Sequence, residues 1–220
     1  MWVVKIEEQS GKEALVPKML VLDRGTSRDL IRQRKKLGLD CYDEVWEGVY
    51  VMPSMASLDH QELVLELGGI YKEVVKAEGG NVYPGANVSD RPKNWKKNYR
   101  IPDIVVLLKN SRAKKCDAFI LGGPDFLTEI ESPDEDSEAK IPFYSKIQVQ
   151  ELLIIHRDRR DLTLYQHDGQ ELVPVEPSVL DGERRLVSAV LPLAFRRVLV
   201  KGKPQSEIRR TDGVPGRWTV

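Results

Sequence analysis

Residues 126–144 read FLTEIESPDEDSEAKIPFY, and the fold turns on how this stretch is divided. Residues 126–131 read as a central strand with Glu129 inside it. Ser132 can cap a helix, Pro133 suits the first helical position, and Glu135 completes a capping box with Ser132. A helix is therefore expected to start directly after Glu131. Pro142 should stop or kink it, because it removes a backbone donor and restricts Ile141.

Working outward, residues 101–108 (IPDIVVLL) are apolar on both alternations, as in a strand buried on both faces. Residues 149–155 give a third apolar strand, and 161–167 with 170–175 a hairpin around Asp168-Gly169. Upstream, 57–79 is helical: Leu63, Leu67, Ile70 and Val74 recur at helical spacing, with Glu62, Glu66 and Glu73 on the other side. Residues 44–52 (EVWEGVYVM) read as one strand and 81–88 as a strand with a Pro-Gly turn. Residues 27–36 form a short basic helix ended by Gly38. Two β-leaning runs, 2–6 and 15–22, precede it. Residues 193–200 are strand or short helix, and the polar stretch after Lys201 is expected to fray. The order predicts an α/β chain: a mixed β-sheet flanked by helices, with extra β-strands at the N-terminus and a C-terminal hairpin.

The 220 residues carry 34 basic and 34 acidic side chains, for a net charge of zero. That argues against indiscriminate nucleic-acid binding but leaves room for a local basic groove. No apolar run approaches the ~20 residues of a membrane helix, and the start lacks a basic-then-apolar leader, so a cytoplasmic chain is expected. Cys41 and Cys116, far apart and without a CxxC partner, read as inert core thiols.

The chemistry centres on Asp103 and Glu129. Carboxylates inside apolar strands are costly unless paired, hydrogen-bonded or metal-bound, and two on neighbouring strands repel. A divalent cation between them removes that penalty, and Mg²⁺ needs few protein carboxylates. The alternative is that Asp103 ends a turn and Glu129 pairs with a Lys or Arg. Glu131 shares the face of Glu129 by strand alternation. Asp136 and Lys140, four apart, are either a surface ion pair or a device that turns the Lys140 ammonium toward the metal; Tyr144 follows on that face. Lys93, Lys96, Lys97 and Arg100 interleave with Trp95 and Tyr99, offering cations for phosphates and rings for bases. The other reading is a solvated loop.

The succession EVWEGVYVMP, SLDHQEL, IPDIVVL, LTEIESPDEDSEAK with Tyr144 four residues on, and VQELLII resembles the Uma-two family of restriction endonucleases, within the PD-(D/E)xK nuclease superfamily. The resemblance runs from about Glu44 to Tyr165. It implies a restriction-endonuclease-like domain over residues 1–200, with its core at about 40–176 and a polar tail over 201–220. It implies metal ligands in Asp103 and Glu129, Mg²⁺ or Mn²⁺ as cofactor, a nucleic-acid substrate, DNA first, and a homodimer. Glu44 matches the family's early acidic position and His60 its histidine. The superfamily lysine would stand at 131, where this chain has Glu131, which leaves Lys140 as the substitute. The competing readings are a catalytically inactive nuclease-fold module that binds nucleic acid or a protein partner, and a hydrolase of another phosphoester.

Overall fold

The computed structural model describes residues 24–53, 56–133 and 136–220. The expected strands over 2–6 and 15–22, and Glu135 of the expected capping box, lie outside them. In chain order the elements are α1 (Arg24–Leu37), β1 (Glu44–Trp46), β2 (Val49–Val51), α2 (Leu58–Lys76), β3 (Asn81–Pro84), β4 (Val88–Ser89), β5 (Tyr99–Arg100), β6 (Ile104–Leu107), β7 (Lys114–Lys115), β8 (Ile120–Leu121) and β9 (Phe126–Glu131). There follow α3 (Ile141–Lys146), β10 (Glu151–His156), β11 (Leu162–His167), β12 (Leu172–Pro174), β13 (Ser178–Leu180), β14 (Glu183–Val187), β15 (Leu193–Val200), β16 (Lys203–Arg210) and β17 (Arg217–Thr219).

The central sheet runs β12-β11-β10-β9-β6-β3. β9 and β10 are parallel, and β6 is antiparallel to β9. Strand alternation divides its residues between two cores. Ile104, Phe126, Ile130 and Leu153 face α2, where they meet Leu63, Leu67, Ile70 and Val74. Val105, Leu127, Leu152 and Ile154 face α3, where they meet Phe143 and Tyr144. Each such large apolar side chain contributes roughly 1.5–3 kcal/mol on burial. The α2 periodicity read from sequence is the buried face, and Ser57 caps the helix by accepting from His60 N.

Several expectations are corrected. Residues 44–52 are a hairpin: Glu47 (φ 46°) and Gly48 (φ 88°) both occupy the left-handed region, the requirement of a tight two-residue turn. That hairpin joins a second sheet, β2-β1-β5-β4-β8-β7. Among the described residues no helix starts at Pro133. A short 3₁₀ turn, Ser137–Lys140, is capped by Asp136 accepting from Ala139 N, and α3 follows it. Pro142 lies in the first turn of α3, where a missing N–H costs nothing, so it starts a helix. The stretch after Lys201 does not fray; β16 and β17 extend the sheet β13-β14-β15-β16-β17. This sheet sends Leu193, Phe195 and Ile208 into the α2-side core, which its composition alone concealed. Cys41 is exposed and Cys116 half-buried, so neither is a core thiol. No helix among the described residues is long and apolar enough to cross a membrane.

Candidate active site

β6 and β9 pair with Ile104 opposite Thr128, so the next step of the ladder sets Asp103 beside Glu129. Asp103 stands at the entry to β6. Its Oδ2 accepts from Ile130 N at 2.6 Å, and its Oδ1 lies 3.0 Å from His60 Nε2 on α2. Glu129 points to the α3 side and is almost fully buried. Lys140 Nζ donates to Glu129 Oε1 at 3.1 Å and Oε2 at 2.9 Å, and Tyr144 Oη donates to Oε1 at 2.5 Å. Glu44, on β1, lies 3.2 Å from the same ammonium. Ile101 N (2.7 Å) and Trp46 Nε1 (2.5 Å) fix the Glu44 carboxylate.

The charges are unbalanced by burial. Loss of hydration pushes Glu129 up to about 8; Lys140 opposes this, while Asp103 and Glu44 add to it. Burial works against the Lys140 ammonium, but Glu129, Glu44 and Asp103 overcome it and hold its pKa above the ordinary value. Burial and the Glu129 carboxylate push the Tyr144 hydroxyl well up, so it acts as a hydrogen-bond donor.

The structure thus gathers Glu44, His60, Asp103, Glu129, Lys140 and Tyr144, contributed by β1, α2, the β6 entry, β9, the turn leading into α3 and α3 itself. Lys140 reaches Glu129 from the end of the 3₁₀ turn, not from along a helix begun at Pro133. Asp136 does not hold Lys140; its carboxylate caps the turn. Glu131 and Asp136 line a neighbouring pocket of about 330 Å³ with Glu138, His156, Arg159 and Asp161. Burial pushes Glu131 up, while Ser137 N–H and His156 pull the other way.

The basic loop is also redistributed. Lys93, Lys96 and Lys97 are exposed. Trp95 stacks on Phe119 at 5.0 Å and meets Tyr99 edge-on, so part of its ring surface is committed internally. Arg100 turns inward and is buried, its guanidinium 4.5 Å from the Trp46 ring centroid and 4.3 Å from that of Phe143. It is no surface phosphate contact. It braces β1, which carries Glu44, against α3, which carries Tyr144. Sequence reading missed this role, although Arg100 standing immediately before an apolar strand, unlike its neighbouring lysines, is the available signal.

Among the described residues, no cluster of three or more His, Cys, Asp or Glu side chains stands ready to hold a metal. The register sets Asp103 and Glu129 opposite each other, at the β6 entry and on β9, a donor set of two carboxylates. Mg²⁺ takes one or two protein carboxylates and completes its shell with water. Lys140 answers part of this charge, and Glu44, Asp103 and Glu129 still leave three carboxylates around one ammonium.

A solved structure from Anabaena variabilis ATCC 29413, described as a "putative nuclease belonging to DUF820", is similar over 63% of this chain and 79% of its own, at 19% identity and a TM-score of 0.49. No curated protein matches the chain. The family model Uma2, described as "Putative restriction endonuclease", matches residues 42–199, which span β1, β6, β9 and α3 and hold Glu44, Asp103, Glu129 and Lys140. With well over half its length matched, the chain belongs to the Uma2 family.

Proposed function

We propose that this protein is a metal-dependent endonuclease that hydrolyses phosphodiester bonds of nucleic acid, DNA in the first instance. The observation that carries the reading is the Lys140 ammonium within 3.2 Å of both Glu129 and Glu44, in a site where Asp103 borders Glu129. Glu131 at the usual lysine position leaves the site without a cation from β9, and Lys140 supplies one from the other side.

Asp103 and Glu129 would hold Mg²⁺ or Mn²⁺. Such an ion, when bound, polarises a phosphoryl oxygen and lowers the pKa of bound water. The chain's own residues do the rest. Ile130 N and His60 fix Asp103, and Tyr144 fixes Glu129, so neither carboxylate must reorganise as charge develops. Lys140 offsets negative charge on the phosphate and orients the attacking water. Glu44 holds the ammonium in place from β1. Burial of Glu44, His60, Glu129 and Tyr144 limits screening of these interactions by bulk water.

The test is cleavage of duplex DNA, single-stranded DNA and RNA by the full chain with Mg²⁺, with Mn²⁺ and with chelator. Metal-dependent cleavage that disappears in Asp103→Asn is expected. No cleavage of any substrate by a folded, metal-binding protein overturns the reading in favour of an inactive binding module. Cutting both strands of a duplex calls for two sites, so a two-fold homodimer is part of the proposal. Light scattering that finds only monomer at every concentration removes that part alone.

A further inference from the structure

The outward face of the C-terminal sheet carries a second concentration of charge. Alternation sends Leu186, Phe195 and Ile208 to the core and Arg196 and Glu207, paired in register, to the other side. Glu207 is 1% exposed, and three arginines converge on it: Arg185 Nη2 at 2.6 Å, Arg196 Nε at 2.7 Å and Arg217 Nε at 2.6 Å. One carboxylate cannot neutralise three guanidinium groups. Glu183, shared between Arg185 and Arg196, still leaves a positive excess.

A concavity of about 570 Å³ opens over this cluster, lined further by Arg209, which pairs with Asp181, and by Arg210, which pairs with Asp212, so the positive excess comes from the arginines around Glu207. Residues 213–216 form one wall. That wall is fitted closely: a Cβ on Gly216 would lie 2.7 Å from Arg210 Cδ and from Trp218 Cη2, so a larger residue there forces those side chains to shift. Arg185, 2% exposed, lines the same concavity, and its Nε and Nη1 are buried with no acceptor among the described residues. Buried guanidinium donors left unpaired are costly, and the oxygens of a tetrahedral anion match their forked geometry. The wall and the strands β16 and β17 lie beyond residue 199, outside the family match.

We propose that this arginine-lined concavity is an anion site that takes a phosphate of a nucleic-acid backbone, a docking point separate from Glu129. The anion chemistry stands on the pocket itself; the choice of nucleic acid as its source rests on the nuclease reading.

The variants are Arg209→Gln with Arg217→Gln, a half-buried and an exposed position whose loss leaves Arg185 and Arg196 on Glu207. Arg184→Gln, exposed on β14 and outside the lining, is the control for net charge. Two ligands are measured against the full chain: pyrophosphate by calorimetry, and fluorescent duplex DNA by anisotropy without divalent metal across a salt series. Saturable pyrophosphate binding that weakens tenfold or more in the double variant, with a parallel loss for DNA, is expected. The DNA salt slope should become shallower by about one, from roughly 0.9 per phosphate contact. Arg184→Gln should match wild type in pyrophosphate affinity. Unchanged melting temperature separates lost binding from lost fold; if the double variant melts early, Arg209→Lys with Arg217→Lys replaces it, keeping the salt slope while losing pyrophosphate affinity. Unaltered DNA affinity and salt slope in the double variant overturn the proposal, as does pyrophosphate binding with no effect on DNA. Absence of cleavage with this binding pattern intact counts against the nuclease reading and leaves the docking site standing.

Discussion

Lys140 Nζ lies 2.9 Å from Glu129 Oε2, across eleven positions of sequence and from a different element. Glu129 is buried and Lys140 half-buried, and the ammonium also faces Glu44. It is at once the best candidate for a catalytic cation and the neutralising partner of an otherwise isolated carboxylate.

Removing it should therefore show twice. At pH above the Glu129 value of about 8, breaking this ion pair on one side leaves an uncompensated charge, with a cost of up to about 3–5 kcal/mol. Lys140→Ala is expected to lower the metal-free melting temperature and to reduce cleavage by about 10²-fold, the size of a lost electrostatic stabiliser. Adding Glu129→Gln should restore the melting temperature but not cleavage. Lys140→Arg should rescue poorly, since a forked guanidinium does not replace a compact ammonium. Full turnover in Lys140→Ala would remove the lysine from the mechanism.

The Glu129 carboxyl, driven by burial to about 8 from an ordinary 4.5, makes metal-free stability fall with pH. Its folded pKa exceeds its unfolded one, so its contribution is complete below 4.5 and is lost as pH rises through about 8. Wild type should lose melting temperature between pH 5 and pH 9, by more than Glu129→Gln does. Metal affinity should move oppositely and climb through the same window, because the ligand must be deprotonated. Parallel pH curves for the two proteins would contradict the shift.

Asp103→Asn should keep the contact to Ile130 N only weakly and lose a charged ligand. Calorimetry with Mn²⁺ is expected to show at least tenfold weaker binding than wild type. Equal affinity would take Asp103 out of the metal site.

Gly123 places the entry to β9 against the end of α3. A Cβ there would lie 2.4 Å from the Gln148 carbonyl carbon and from the Ile147 and Gln148 carbonyl oxygens, a collision with backbone. Gly123→Ala should cost about 1–3 kcal/mol by forced displacement. Because α3 carries Tyr144, cleavage should fall as well. A melting temperature within a degree of wild type would show that the connection yields freely.

Local chemistry in the sequence determined the apolar strands 101–108 and 126–131, the α2 helix with its buried stripe, and the hairpin about Asp168-Gly169. In each, periodicity or a two-residue turn fixes the outcome within a few residues. The same reading singled out Asp103 and Glu129, because a carboxylate inside an apolar strand needs a partner wherever the strand lies. Tertiary structure alone decided which partners those are. The β6–β9 register set Asp103 beside Glu129, and the short turn over Ser137–Lys140 brought Lys140 onto Glu129, where the sequence had suggested a longer helix. It also took Arg100 from the expected surface to a place between Trp46 and Phe143, and made strands of a polar segment after Lys201. These outcomes depend on contacts between residues distant in the chain, which supply burial and paired charges that no local pattern encodes.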